Sequence, residues 1–299
     1  MGSLLTVCII TYNHVNFIQQ AIEGVLLQKV NFKFEIIIAD DFSTDGTREI
    51  IIDYGEKYPD LISLILQPKN VGPLKNWIEL IKAPKSKYIA YFEGDDYWTD
   101  SNKLQKQVDF LESNLDFVLC YHNTYILVNE SFQEDYFKDK KISKISCYND
   151  LLCFGNYMQT SSVVFVNKLK LFPFEKKIYL NDYILWFWIS QFGKIYRFDE
   201  NMSVYRISSG IWSILDKRKQ IIHTLNSLHE AMKIVKNESD IIILNNRIES
   251  INLSLLPIEL QKKNNIHYDL KEFLSNHINI SVLLLSVLNK VLNKIFRVK

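Results

Sequence analysis

The chain has 299 residues, of which 47% are hydrophobic and 23% are charged, and its formal net charge is +1. This length allows one large domain or two smaller domains with an extensive core. Because the charges nearly balance, no overall positive field attracts nucleic acid, and we expect no nucleic-acid partner. No stretch reaches the roughly 18 consecutive apolar residues of a membrane-spanning helix, so the sequence predicts none.

The cysteines and the first residues indicate the compartment. None of the four cysteines has Cys-x-x-Cys spacing and all lie in apolar segments, which predicts buried thiols in a reducing compartment. They are Cys8, Cys120, Cys147 and Cys153. The first apolar run is short and lacks both a basic flank and a small-residue cleavage site. We therefore expect no signal peptide and a cytoplasmic location.

Strands and helices alternate over about the first hundred residues. Apolar runs rich in β-formers cover residues 4–10, 34–39 and 61–66, and a fourth begins at Tyr88. Apolar residues at helical spacing follow each of the first three runs, and Ser43 or Thr44 is expected to cap the second helix. This β-α-β-α-β-α-β order predicts an α/β fold with a Rossmann-like, mostly parallel sheet flanked by helices.

The fourth apolar run ends in three carboxylates within four residues, Glu93, Asp95 and Asp96. Clustered acids raise each other's pKa unless a cation lies among them. Mg²⁺ and Mn²⁺ suit such oxygen ligands, and they typically take one or two carboxylates and leave other positions to phosphate oxygens. An isolated Asp-Asp pair is equally typical of a solvated acidic turn, so this stretch alone leaves the choice open.

Two other predicted strands also end in polar residues, at residues 11–13 and at Asp40-Asp41. Since the carboxyl ends of parallel strands lie along one edge of the sheet, we expect these groups to converge with the acids in a nucleotide site. The first strand is not followed by Gly-x-Gly-x-x-Gly, and the sequence has no Gly-Lys-Ser/Thr loop. Dinucleotide redox chemistry and P-loop hydrolysis therefore lose their main support.

Four segments, in this order and spacing, resemble the inverting family 2 glycosyltransferases of the GT-A fold. They are Val-Cys-Ile-Ile-Thr-Tyr-Asn at 7–13, Ile-Ile-Ile-Ala-Asp-Asp-Phe-Ser-Thr-Asp-Gly-Thr at 36–47, Asn-Val-Gly at 70–72 and Glu-Gly-Asp-Asp-Tyr-Trp at 93–98. The resemblance implies a domain over residues 1–215, with a nucleotide-sugar half at 1–100 and an acceptor half at 101–215. It also implies site residues that bind the donor and a Mn²⁺ or Mg²⁺ ion.

Each implied role falls on a matching position of this chain. Thr11, Tyr12 and Asn13 would border the nucleotide base. Asp41 would accept from the N–H of the base ring, and Lys75 would lie near the donor. Asp95 and Asp96 would hold the metal against the diphosphate. Glu93 stands where the family commonly has another Asp.

Asp182 precedes an intensely apolar helix and, by spacing alone, is more typical of an N-cap than of a catalyst. The resemblance favours the catalyst, since these enzymes carry their general base as the second acid of a Glu-Asp pair at the head of such a helix. Asn181 replaces the first acid here. The two roles are compatible, because a helix N-terminus favours an ionised carboxylate.

The second half of the chain matches the family less well. Residues 129–144 predict a loop over the acceptor side. The family usually has Tyr-Arg-x-His near residue 208, where the His can join the metal, but this chain has Ser208. Either the metal is held without a histidine, or Ser208 and Ser209 touch the diphosphate. Arg206 would pair with phosphate or with a carboxylate at the edge of the core.

Residues 216–299 predict a C-terminal helical region. Its last stretch places apolar side chains on one face and basic ones opposite, as in helices that lie on an anionic membrane surface. They are Leu284, Leu288, Val291, Leu292 and Ile295, with Lys290, Asn293, Lys294 and Arg297 opposite. The alternatives are packing on the catalytic domain or on a second copy of the chain. Contact with a membrane would place the protein at the inner face of the membrane, and packing on a second copy would make it a homo-oligomer.

The expected function is transfer of a sugar, with inversion, from a nucleotide-diphosphate donor such as a UDP-sugar to a hydroxyl of a glycan or lipid-linked acceptor. The resemblance associates it with synthesis of cell-surface polysaccharide or glycoconjugate. One alternative is a sugar nucleotidyltransferase, which would need a Gly-rich basic loop after the first strand. Another is a nucleotide- or glycan-binding scaffold without catalysis.

Overall fold

The computed structural model describes residues 2–139, 142–172, 181–207 and 215–255. Its strands are β1 (Leu5–Thr11), β2 (Phe34–Asp40), β3 (Ile62–Leu66), β4 (Tyr88–Glu93), β5 (Tyr97–Trp98), β6 (Phe117–Val128), β7 (Ser131–Glu134), β8 (Ile145–Ser146), β9 (Val164–Val166) and β10 (Lys194–Arg206). Its α-helices are α1 (Ile18–Leu26), α2 (Thr47–Lys57), α3 (Pro73–Lys82), α4 (Lys103–Ser113), α5 (Tyr148–Phe154), α6 (Asp182–Ile189), α7 (Lys217–Ile234) and α8 (Glu238–Ser254).

These strands form one sheet in the order β3-β2-β1-β4-β9-β6-β10-β5, with β7 added to β6 and β8 to β10. Strands β3, β2, β1 and β4 are parallel to one another, as predicted. Strand β9 lies antiparallel between β4 and β6. The predicted α/β class, with a mostly parallel sheet flanked by helices, is confirmed.

The core of the parallel half follows from the alternation of side chains along β4. Tyr88, Ala90 and Phe92 point into a cluster that the apolar faces of α1, α2 and α4 cover. Tyr91 points to the opposite face, where its ring centroid lies 5.9 Å from that of Trp77 on α3. Both faces of the strand are therefore buried, which explains its nearly continuous apolar sequence.

Three strands in the second part of the sheet differ from what their apolar runs predict. Residues 117–121 and 125–128 predict two strands, but they belong to one strand, β6. Residues 195–198 predict a short strand, but it extends to Arg206 as β10, which pairs in parallel with β6 through register shifts. Residues 160–166 predict a strand of which only Val164–Val166 form one, since Thr160–Ser162 form a 3₁₀ turn.

Two local predictions were wrong. Helix α2 begins after Gly46, which has a positive φ of 105° and no side chain with which to cap the helix. Ser43 does not cap it, because its hydroxyl donates to Asp40 and accepts from the N–H of Asn13. Cys147 and Cys153 are exposed, whereas Cys8 and Cys120 are buried as predicted.

The chain divides into two compact units, residues 1–245 and 246–299. Helix α7, assigned by sequence to the C-terminal region, belongs to the first unit, and the predicted domain limits stay a prediction. The amphipathic stretch around residues 284–297 lies outside the described residues. Among the residues that are described, no helix is both long and apolar enough to cross a membrane.

Lys103, at the start of α4, is a lysine with a fully buried side chain. Its ammonium donates to Gln107 Oε1 at 2.7 Å and lies 4.1 Å from the ring centroid of Trp98. Burial lowers the pKa of Lys103 to about 7. Because Lys103 contacts Trp98, the last residue of the segment 93–98, its protonation state affects the local stability of that segment.

Replacing Lys103 by Met should change how stability depends on pH. Between about pH 7 and pH 10.5 the unfolded lysine binds a proton that the folded one lacks, so Lys103 makes stability rise with pH by up to about 1.4 kcal/mol per unit. Urea unfolding of wild type and Lys103→Met at pH 7 and pH 9 should show that rise only in the wild type. The exposed-site control Lys57→Met should retain it; an equal rise in Lys103→Met would contradict the buried-amine assignment.

Candidate active site

The ends of three parallel strands meet at one edge of the sheet. The N–H of Asp41, after β2, donates to the carbonyl of Thr11 at 3.1 Å. The N–H of Gly94, after β4, donates to the carbonyl of Ile10 at 2.8 Å. The residues that follow β1, β2 and β4 are therefore held side by side, as the parallel topology requires.

The loop after β1 is tied to the loop after β2. Asn13 has a positive φ of 54°, a conformation that asparagine tolerates better than most residues. Its side-chain oxygen accepts from the N–H of Thr44 at 3.0 Å, and its own N–H donates to Ser43 Oγ at 2.9 Å. Tyr12, the residue before Asn13, is 43% exposed. Asn13 thus fixes the loop, and Tyr12 presents an accessible aromatic face.

The two acids after β2 are used differently. Asp40 is buried and pairs with Arg48 Nε at 2.6 Å, so its charge is compensated within the protein. One oxygen of Asp41 accepts from the N–H of Val71 at 2.7 Å. The described residues supply no hydrogen bond to its other oxygen. Lys75, one turn into α3, is exposed and lies 3.9 Å from Glu79 Oε1.

The acids after β4 form a buried cluster of like charge. Glu93 accepts from the hydroxyls of Tyr91, at 3.1 Å, and Thr160. Burial, together with the charges of Asp95 and Asp182, raises the pKa of Glu93 to about 7, and the Thr160 and Tyr91 hydroxyls oppose this rise. Burial likewise raises the pKa of Asp96 well above its usual range, with Asp95 and Glu93 contributing.

Arg206, the last residue of β10, is hydrogen-bonded to the turn formed by Asp95 and Asp96. Its N–H donates to Asp96 Oδ1 at 2.9 Å, and its guanidinium donates to the Asp95 carbonyl and to Gln20. The guanidinium carbon lies 4.9 Å from the ring centroid of Phe17 and 4.5 Å from that of Tyr97. Among the described residues the guanidinium contacts a carbonyl, an amide and two rings and forms no side-chain ion pair, so the expected pairing with a carboxylate is not seen. Pairing of Arg206 with phosphate stays a prediction.

The acids after β4 fit a divalent cation. Asp96 Oδ2 is buried and has no hydrogen-bond partner among the described residues, and both its burial and the neighbouring carboxylates oppose the ionisation of Asp96. A cation would satisfy that oxygen and relieve the repulsion. Among the described residues no three His, Cys, Asp or Glu are arranged to hold a metal ion by themselves. The protein would therefore supply one or two ligands, which leaves positions for a phosphate-bearing substrate.

Asp182 is the first residue of α6, and it is not the cap. Asn181 caps the helix by accepting from the N–H of Ile184 at 3.0 Å. The two oxygens of Asp182 accept from the Tyr183 N–H and from the Asn156 amide, each at 2.8 Å. Burial raises the pKa of Asp182, while these two donors lower it. The result is a carboxylate of increased proton affinity that is held in one orientation.

Asp182 lies near the acids of β4, although 86 residues separate it from Asp96 in the sequence. It acts electrostatically on both Glu93 and the Tyr91 hydroxyl. The connecting segment is Asn156–Thr160, whose first residue donates to Asp182 and whose last donates to Glu93. Sequence analysis missed both residues, because an Asn and a Thr in an irregular segment carry no pattern of their own.

A histidine also lies beside the acids, from the loop after β1. The Nδ1 atom of His14 lies 3.3 Å from Thr11 Oγ1. Burial lowers the pKa of His14, and Asp95 and Asp45 oppose that shift. Ser208 and Ser209, the residues considered in place of the family's histidine, lie outside the described residues.

Comparisons with known proteins agree with this geometry. The family model of glycosyl transferase family 2 matches residues 6–187. An uncharacterized Mycobacterium tuberculosis protein, Rv1520, is 35% identical over 222 residues, which cover 72% of this chain and 63% of that protein. The chain thus spans less than two thirds of that relative's length.

Solved structures show the same fold at low identity. TarS of S. aureus in complex with UDP-GlcNAc has a TM-score of 0.60 and 16% identity, and the match covers 90% of this chain and 77% of that one. The mannosyltransferase PcManGT of Pyrobaculum calidifontis, in complex with GDP-Man and Mn²⁺, has a TM-score of 0.59 and 15% identity, covering 83% and 70%. With the matched family model spanning the strand ends and Asp182, the chain belongs to glycosyl transferase family 2.

Proposed function

We propose that this glycosyltransferase moves a sugar from a UDP-sugar to a hydroxyl group of a glycan or lipid-linked acceptor, with inversion at the anomeric carbon. The observation that carries the proposal is the approach of Asp182, from α6, to the acids that end β4. One group of acids can then serve the leaving diphosphate while a separate carboxylate serves the nucleophile. A role in cell-surface polysaccharide or glycoconjugate synthesis follows from the acceptor class.

In the proposed mechanism Asp182 accepts the proton of the acceptor hydroxyl as its oxygen attacks the anomeric carbon from the face opposite the diphosphate. Two features of Asp182 suit this role. Burial raises its pKa and so its proton affinity, and its contacts with Asn156 and Tyr183 fix its direction. By fixing the direction of the carboxylate, these contacts reduce the entropy that must be lost to reach a reactive geometry.

The residues for the donor lie along the strand ends. The exposed Tyr12 ring and Thr11 would border the base, and the second oxygen of Asp41 would accept from its ring N–H. Asp95 and the unpartnered Asp96 Oδ2 would hold Mn²⁺ or Mg²⁺, which supplies positive charge to offset the charge developing on the leaving diphosphate. Lys75 is exposed near this edge and would approach the donor.

Structures of relatives support the donor class without deciding it. TarS is seen with UDP-GlcNAc and the mannosyltransferase with GDP-Man, so both nucleotides occur on this fold. A direct test is release of UDP from a panel of UDP-sugars in the presence of candidate acceptors. Thermal-shift measurements with the same panel and Mn²⁺ identify the donor, and stabilisation by GDP-sugars alone would overturn the choice of UDP.

Membership of the family favours glycosyl transfer over the sugar nucleotidyltransferase alternative. The raised proton affinity of Asp182 favours catalysis over the scaffold alternative, because a scaffold needs no base there. The location at the cytoplasm or the inner membrane face stays a prediction, since the C-terminal stretch on which it rests lies outside the described residues.

Replacing Asp182 by Asn should lower turnover by about a hundredfold or more while donor affinity stays nearly unchanged. The reason is that Asn keeps the size of the side chain and loses the proton acceptor. The measurements are initial rates of UDP release and the Kd of the donor, with Asp53→Asn on the exposed face of α2 as a control that should behave as wild type. Near-normal turnover of Asp182→Asn would remove the base assignment.

Replacing Asp96 by Ala should abolish the stimulation of activity by Mn²⁺ or Mg²⁺. Because Asp96 Oδ1 also accepts the N–H of Arg206, Asp96→Asn is the better-folded companion variant. Both should give rates that no longer respond to added metal, with circular dichroism confirming that each is folded. Full activity of the wild type in EDTA would show that the metal role is wrong.

A further inference from the structure

The hairpin of β6 and β7 leads into a turn that carries an exposed aromatic ring next to the acids. Tyr136, just after β7, is 47% exposed. The turn is anchored on either side of Tyr136, because Asp135 accepts from the N–H of Phe137 at 2.9 Å and from the Gln159 amide at 3.3 Å. The Phe137 ring contacts that of Tyr136 edge-on, with centroids 4.6 Å apart. Tyr136 is therefore a fixed ring and not a loosely attached side chain.

The Tyr136 hydroxyl lies within electrostatic reach of the active-site acids. Burial raises the pKa of this hydroxyl to about 12, and Asp135, Asp182 and Asp96 add to the rise. Tyr205 of β10 lies near Tyr136 and the same acids, because Asp96, Tyr136 and Glu93 all act electrostatically on its hydroxyl. One end of the Tyr136 ring thus lies near both the proposed base and the acids of β4, while much of its surface is open to solvent.

The segment that fixes the Tyr136 turn is the same one that fixes the acids. Gln159 donates to Asp135, and the next residue, Thr160, donates to Glu93. Three residues before Gln159, Asn156 donates to Asp182. Asp135, Glu93 and Asp182 are therefore all hydrogen-bonded to this short segment, which fixes the turn that carries Tyr136 relative to Asp182.

We propose that Tyr136 is the surface on which the acceptor sugar packs, with the ring face of the pyranose against the tyrosine and its reacting hydroxyl directed to Asp182. This inference rests on the proposed function and names the acceptor side of the same site. A pyranose has a face of C–H groups and a rim of hydroxyls, which matches an aromatic ring bordered by polar groups. Gln159 and Tyr205 supply polar groups at the border.

Another exposed aromatic residue of the hairpin offers a matched control. Phe132 on β7 is 59% exposed, and its ring packs against Tyr125 with centroids 5.9 Å apart. It belongs to the same hairpin and has a similar exposed area, but its contact is with a β6 side chain and not with the acids. Loss of either ring removes comparable apolar surface, so a difference between the two variants reports position.

The test uses the full chain loaded with UDP and Mg²⁺ and a panel of methyl β-glycosides of glucose, galactose, mannose and N-acetylglucosamine as probes. Saturation-transfer NMR should detect at least one of them on the wild type, with transfer strongest to ring C–H protons. Tyr136→Ala should raise its Kd about tenfold or more, a loss within the range of one aromatic contact. Tyr136→Phe and Phe132→Ala should stay within about twofold of wild type, a difference of about 0.4 kcal/mol.

Calorimetric titration with UDP separates the two proposals. If UDP binds and the probe affinity is the same in Tyr136→Ala and wild type, or if no probe binds the UDP-loaded protein, the role of Tyr136 is overturned and the proposed function stands. An equal loss in Tyr136→Phe and Tyr136→Ala would overturn stacking as the cause, since Phe keeps the ring. If the wild type binds no nucleoside diphosphate, the proposed function itself fails.

Discussion

Repulsion between carboxylates is the interaction on which the organisation of this site depends. Two unit charges 4 Å apart interact by about 4 kcal/mol at an effective dielectric of 20, and Glu93, Asp95, Asp96 and Asp182 all contribute to one buried region. Burial and this repulsion together raise the pKa of Glu93 to about 7. Where the chain needs only structure, as at Asp40, it supplies Arg48 as a counter-charge. At the ends of β4 it supplies mainly hydroxyls and N–H groups.

That difference explains the position of Arg206. An arginine beside three acids would ordinarily neutralise one of them through a paired contact. Here the guanidinium is directed to the Asp95 carbonyl and lies against Phe17 and Tyr97, and only the backbone N–H of Arg206 reaches a carboxylate. The residue stabilises the turn, and among the described residues Asp96 Oδ2 has no hydrogen-bond partner. In the proposed donor site that oxygen would bind a cation, which would offset the negative charges of both the acids and the diphosphate.

The parallel half of the fold could be predicted from sequence, and the site within it as well. Strands buried on both faces give continuous apolar runs, and parallel strands place their carboxyl ends along one edge, so Thr11, Asp41 and the acids of β4 were expected together. The remainder depends on tertiary contacts that leave no local pattern. Asn156 meets Asp182 across 26 residues and Thr160 meets Glu93 across 67, both from an irregular segment. The same limit made Ser43 look like a helix cap, although it bonds Asp40.

The position of Asp182 shows how one residue could serve both as a helix start and as the proposed base. Asn181 occupies the cap and accepts from Ile184, so the carboxylate one residue later has no cap to make. A helix N-terminus favours ionised carboxylate, as do the donors Tyr183 and Asn156, whereas burial favours the protonated form. Burial is the largest of these effects, so the pKa rises. An unburied Asp at a helix start would be ionised but weakly basic, whereas this one gains proton affinity and keeps a fixed direction, the two properties that deprotonation of a sugar hydroxyl demands.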